Sequence, residues 1–134
     1  MTMGDISRKK LGDRTERALI DAFKRAGWWV HLFAYNESGQ PCDVIAFKGD
    51  DIQVMLVDVK HCSGKTFSAY RVEPNQASCF EHAMRCGRPR CGFAIWFDGE
   101  GKFYWLPYQY LIGGGKKTFK ASELRELGEI LCEW

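Results

Sequence analysis

Three acidic residues and a lysine in the first half of the chain have the types and the spacing for metal-assisted hydrolysis. Asp43 lies in GQPCDVIAFK, Asp58 and Lys60 in QVMLVDVK, and Glu16 upstream in GDRTERAL. The runs DVIAFK and QVMLVDVK otherwise read as buried strands, joined by the turn GDD. If Lys48 pairs with Gln53 across that turn, the same register sets Asp43 opposite Asp58. Side chains alternate along a strand, so Lys60 shares the face of Asp58, Leu56 and Val54, and Asp43 that of Ile45 and Phe47. Opposed side chains have Cβ atoms about 4.5–5.5 Å apart, a separation at which two like charges destabilise the sheet. A divalent cation held by both carboxylates would remove the repulsion, and hard cations accept a few carboxylate oxygens completed by water.

Each acid also has a structural explanation. Asp43 can cap the turn after Pro41, and Asp58 can pair with Lys60 at a strand end. Glu16 sits three residues before Leu19 on the core-directed side of a helix, and its spacing from Asp13 is equally that of a capping box. The set together fits one chemistry: phosphodiester hydrolysis needs an activated water and neutralisation of charge on phosphate and leaving oxygen. No Ser-His-Asp or Cys-His arrangement competes, and His61 reads as an exposed loop histidine beside the site. A zinc set built from Cys79, His82, Cys86 and Cys91 lacks the tight paired spacings of zinc sites.

The elements that must position these groups follow from periodicity. Leu19, Ala22, Phe23 and Ala26 recur at helical spacing, with Gly27 as the stop. WWVHLFAY reads as a strand, NESGQP breaks it, and DVIAFK and QVMLVDVK follow as a hairpin. HCSGKTFSAYRV is polar and glycine-punctuated and is expected as a loop or short extended segment. PNQASCFEHAMRCG is a second helix, with Pro74 in its first turn and Gly87 at its end. CGFAIWF and KFYWLP form a hairpin across DGEG. The expected order is α-β-β-β-α-β-β, an α/β fold with a central mixed β-sheet flanked by helices. Residues 1–112 form the core, and residues 113–134 a glycine joint and a C-terminal helical segment of the same domain, capped by Ser122.

Glu16, then Pro41-Cys42-Asp43, then Asp58-Val59-Lys60 resembles the PD-(D/E)xK nuclease superfamily, whose restriction-endonuclease-like core has the same order of elements. More narrowly, GDRTERAL, SGQPCDVIA, VDVKH and a helix carrying Gln76 resemble Holliday junction resolvases of the RecU and archaeal types, over residues 12–111. The resemblance implies that Asp43, Asp58 and the Val59 carbonyl bind Mg2+ (or Mn2+), with Glu16 as a further ligand. It implies that Lys60 positions or activates the attacking water, that Gln76 lies near the site, and that Ser38 approaches the scissile phosphate. The short NESGQP connection departs from the RecU pattern, which carries a long protruding segment there. The implied activity is a magnesium-dependent endodeoxyribonuclease acting on four-way or branched DNA as a homodimer, in phage-like or bacterial recombination and repair. The alternatives are a nicking or restriction-type nuclease and a non-catalytic DNA-binding module. Lys65 and Arg71, in the segment 61–71, are the expected phosphate contacts.

Bulk properties agree with this class. The chain has 134 residues, 46% hydrophobic and 27% charged, which suits one core and argues against disorder. No run approaches the length of a membrane span and the N-terminus has no apolar signal core, so a cytoplasmic location is expected. The six cysteines lack CxxC pairs and are expected as reduced, mostly apolar residues. The net charge of +2 points to no partner by itself, but basic clusters at residues 8–10, 85–90 and 116–120 permit nucleic acid binding.

Overall fold

A computed structural model describes residues 3–33 and 42–133, with side chains described from residue 12 onward. Helix α1 (Met3–Arg25) precedes β1 (Trp29–Leu32), β2 (Val44–Lys48), β3 (Gln53–Cys62) and β4 (Thr66–Ser68). Helix α2 (Pro74–Gly87), the hairpin β5 (Arg90–Phe97) and β6 (Lys102–Pro107), then β7 (Thr118–Lys120), β8 (Arg125–Glu126) and α3 (Leu127–Cys132) complete the chain. Six strands form one mixed sheet in the order β1-β2-β3-β5-β6-β8. Among the described strands only β3 and β5 pair in parallel; the crossover between them carries α2. The α/β class and the mixed sheet between helices are as expected.

Burial at four-residue intervals explains where α1 lies. Thr15, Leu19 and Phe23 are buried along one stripe of the helix, and Leu19 and Phe23 share a core with Val44, Ala46, Met55 and Val57. Leu127, Ile130 and Leu131 of α3 enter the same layer, and the Trp28 indole N–H donates to the Leu131 carbonyl at 3.1 Å. On the opposite face Phe80 of α2 meets Phe93 edge-on, and Phe67 of β4 and Phe119 of β7 close the layer. Burying an aromatic or leucine side chain of this kind contributes about 1.5–3 kcal/mol, so the sheet is held from both sides at β3, β5 and β6. At β1 and β2 the second face is open: Trp29 is 52% and Phe47 38% exposed.

Several expectations are corrected. Helix α1 begins at Met3, so Asp13 and Glu16 lie inside the helix and form no capping box. Of the two options for the segment after Lys60, the short extended one holds: β3 continues to Cys62, the three-residue β4 pairs with β7, and Ala69–Arg71 makes a 3-10 turn. The stretch after the glycines is not one helix capped by Ser122. It contains β7, a 3-10 turn at Ala121–Glu123, β8 and only then α3. Deep burial next to α1 belongs to Val44, Ala46, Met55 and Val57, whereas Ile45, Val54 and Leu56, on the face assigned to the acids, are half-buried. Ser38, Pro41 and the NESGQP connection lie outside the described residues.

Candidate active site

The β2–β3 register matches the turn chemistry: Lys48 pairs with Gln53, and pairing continues to Val44 opposite Val57. One step further the strands part. The Asp43 N–H donates to the Val57 carbonyl at 3.1 Å, one residue off that register. Its carboxylate then accepts the Val59 N–H at 2.8 Å, the place a ladder carbonyl would have held. Asp43 and Asp58 therefore do not meet as a simple cross-strand pair. They meet because the Asp43 side chain turns onto β3, where its charge acts on the Asp58 carboxyl. On its other side the Asp43 carbonyl accepts the Phe33 N–H, which fixes the residue between β1 and β3.

Asp58 is 2% exposed, on the face of β3 between Leu56 and Cys62. Its Oδ2 accepts no hydrogen bond from any described residue, although the Lys60 ammonium lies 3.2 Å away as an ion pair. Burial, then the charge of Asp43, push its carboxyl up to about 8 against the opposing pull of Lys60. Glu16 is half-buried, and burial followed by Asp43 and Asp13 raises its carboxyl above the usual range. With the capping box gone, no helix-end role accounts for an acid placed beside Asp43.

This constellation suits a hard cation. A buried carboxylate oxygen left without a donor, beside a second carboxylate, is what a divalent ion stabilises. Among the described residues no three His, Cys, Asp or Glu are grouped closely enough to hold a metal ion: Glu16 is not gathered with Asp43 and Asp58, and the zinc set of Cys79, His82, Cys86 and Cys91 is not assembled. Magnesium needs no such cluster, since it keeps several waters and binds one or two carboxylates with substrate phosphate.

The other sequence candidates are placed as follows. Val59 follows Asp58, with its N–H on Asp43. Gln76 lies in the first turn of α2, where its side-chain oxygen accepts the Glu73 N–H at 3.1 Å. The Arg71 guanidinium donates through Nη1 to the His61 carbonyl at 2.9 Å and to Cys62 Sγ, and lies over the Phe67 ring. Lys65 is exposed and lies across Gly99 in the β5–β6 turn. His61 is a strand residue, not a loop one, and its Nε2 is 2.7 Å from Asp98 Oδ1.

Asp98 was not among the sequence candidates. It sits in the DGEG turn, 37 residues from His61, and the parallel pairing of Cys62 with Phe97 brings it there. Nothing in local spacing signals that contact. Three cysteines, Cys42, Cys62 and Cys91, are buried, and the six described cysteines are all free thiols.

No family model matches the chain, and no curated protein matches it in sequence. Among solved structures it is similar to Hjc of Archaeoglobus fulgidus, a Holliday junction resolvase from an archaeal hyperthermophile, with a TM-score of 0.69 and 20% identity. The similarity covers 90% of this chain and 99% of that one, and it shows a shared fold. No described helix is long and apolar enough to cross a membrane.

Proposed function

We propose that this chain is a metal-dependent DNA endonuclease that resolves Holliday junctions. One observation carries the reading: the buried Asp58 oxygen without a hydrogen-bond donor, set between Asp43 and Lys60 where β2 leaves β3. The fold shared with a protein described as a Holliday junction resolvase supports it. In this reading Asp43, Asp58 and the Val59 carbonyl hold Mg2+ or Mn2+, with Glu16 completing the set from α1. When bound, the ion supplies an activated water and charge neutralisation at phosphate.

The remaining steps belong to the chain itself. Asp58 holds the Lys60 ammonium by its 3.2 Å ion pair, so a positive charge is fixed beside the position of attack. The Val59 N–H holds Asp43 in place, and the Phe33 N–H anchors its backbone. Gln76 fixes the first turn of α2 and is assigned to the site together with Ser38. Lys65 and Arg71 are the proposed phosphate contacts. Paired symmetric incisions call for two sites related by a twofold axis, hence a homodimer.

Labelled linear, nicked and four-way DNA incubated with the purified protein in Mg2+ and in EDTA tests this. Magnesium-dependent cutting confined to the four-way substrate is expected. Equal cutting of all three would leave a nicking or restriction-type nuclease, and binding without cutting would leave a DNA-binding module. A solution mass of one chain with activity retained would remove the dimer.

A further inference from the structure

The open face of β1 and β2 carries a row of aromatic rings that the catalytic reading does not use. Trp29 pairs with Phe47 across the strands, their rings stacked at 4.7 Å between centroids and 20° between planes. His31 stacks beside Trp29 at 6.2 Å, and Phe33 meets His31 edge-on at 5.3 Å. The row ends at the site, because the Phe33 N–H is bonded to the Asp43 carbonyl. From Asp43 to Phe47 is four residues of strand, about 13 Å, a distance that a nucleic acid strand covers in a few nucleotides.

We propose that Trp29, Phe47 and His31 form a stacking platform for an unpaired base of the DNA substrate, flanking the bond cut at Asp43 and Asp58. The proposal rests on the nuclease reading and adds to it what the site selects: DNA whose bases are unstacked, as at a branch. Three features favour a base over a second protein chain. The exposed surface of Trp29 and Phe47 together is about 200 Å², far below the roughly 800 Å² that each partner of a standard interface contributes. Although their rings stack on one another, Trp29 and Phe47 stay 52% and 38% exposed, and any base has a face to offer them. On its other side, toward α1, the edge strand β1 borders an open groove of about 520 Å³ whose α1 wall carries Arg17 and Lys24 along with Asp13 and Glu16, so cations for the phosphate backbone lie beside the same strand.

The test uses metal-free protein in EDTA, so that no cleavage is needed, with a four-way junction carrying 2-aminopurine at the branch and a matched linear duplex. The parent should quench the probe and bind the junction more tightly than the duplex. Trp29→Leu keeps an apolar side chain but no ring; it should lose the quench and about tenfold of junction affinity, with duplex affinity unchanged. Trp29→Phe should keep most of both, and unchanged thermal melts of the two variants establish that they fold. Quench and affinity retained in Trp29→Leu would overturn the platform. So would equal loss of junction and duplex binding together with a halved solution mass, which would mark the face as a contact between copies. Cutting of the junction in Mg2+ is scored separately. A Trp29-dependent quench without cutting keeps the platform and rejects the nuclease, whereas cutting without the quench does the reverse.

Discussion

The Asp43 carboxylate accepts the Val59 N–H at 2.8 Å, so one acid of the pair completes the hydrogen bonding of the strand that carries the other. Asp43 therefore has a structural duty separable from any metal it holds. Asn can still accept that N–H, whereas Ala leaves it without a partner, at a cost of about 1–2 kcal/mol. Both changes relieve the repulsion on Asp58. Asp43→Asn is expected to be at least as stable as the parent in EDTA, and Asp43→Ala less stable than Asp43→Asn. Both are expected to be inactive on junction DNA. Urea denaturation of the three proteins checks the order; equal stability of the two variants would count against the strand-completing role.

Asp58 sets the pH dependence of the metal-free protein. Its carboxyl is raised from 3.8 to about 8, by burial first and Asp43 second, with Lys60 opposing. At pH values below 3.8 the group is neutral folded and unfolded and costs nothing. As pH rises toward about 8 the unfolded chain ionises while the native one retains its proton, so stability falls, and the full cost is reached above that value. Asp58→Asn should remove this slope and gain about 1–3 kcal/mol at the alkaline end. Magnesium should raise the parent's melting temperature most at that end and leave the variant's unchanged. Parallel stability profiles for parent and variant would contradict this account.

Arg71 and Lys65 separate under the same test. Arg71 is tied to the His61 carbonyl, Cys62 Sγ and the Phe67 ring, so Arg71→Ala is expected to lower stability by about 1–2 kcal/mol as well as DNA affinity. Lys65→Ala should leave stability unchanged. Its DNA binding should weaken alike across sequences, and the slope of log affinity against log salt should fall by about one. Denaturation and salt-titrated binding of each variant read the two effects independently. An unchanged salt slope in both would exclude the segment 61–71 as the path of the DNA.

Gly92 is required by packing, far from any chemistry. A Cβ there would lie 2.3 Å from the Leu106 carbonyl oxygen and 2.9 Å from the Trp105 ring, and the first of these is backbone in a paired strand that cannot give way cheaply. Gly92→Ala is expected to lose about 3 kcal/mol, measured by chemical denaturation, whereas Gly87→Ala, with open space around it, should lose little. Equal effects at the two sites would refute the packing argument.

What the sequence determined by itself was local. The turn at Gly49 and Asp50 dictates the pairing of Lys48 with Gln53 and of every step to Val44 and Val57, because a short hairpin leaves no alternative register. Pro74 and the apolar spacing define α2, although the left-handed residue at its end is Arg88, not Gly87. The candidate acids and Lys60 were legible because ionisable residues inside otherwise apolar strands stand out. Tertiary structure alone decided the rest. Asp13 and Glu16 have the spacing of a capping box, but three-residue spacing is equally compatible with a helix interior, and only the preceding turns of α1 distinguish the two. Thr66–Ser68 became strand because Thr118–Lys120 lies beside it, a partner too distant in sequence for any local pattern to announce. The parting of β2 from β3 at Asp43 also had no local sign. Hydrophobic alternation specifies which face a side chain takes while a ladder continues, but where the ladder ends depends on the strands and helices that surround it. That ending turned the Asp43 carboxylate onto Val59 and brought it against Asp58.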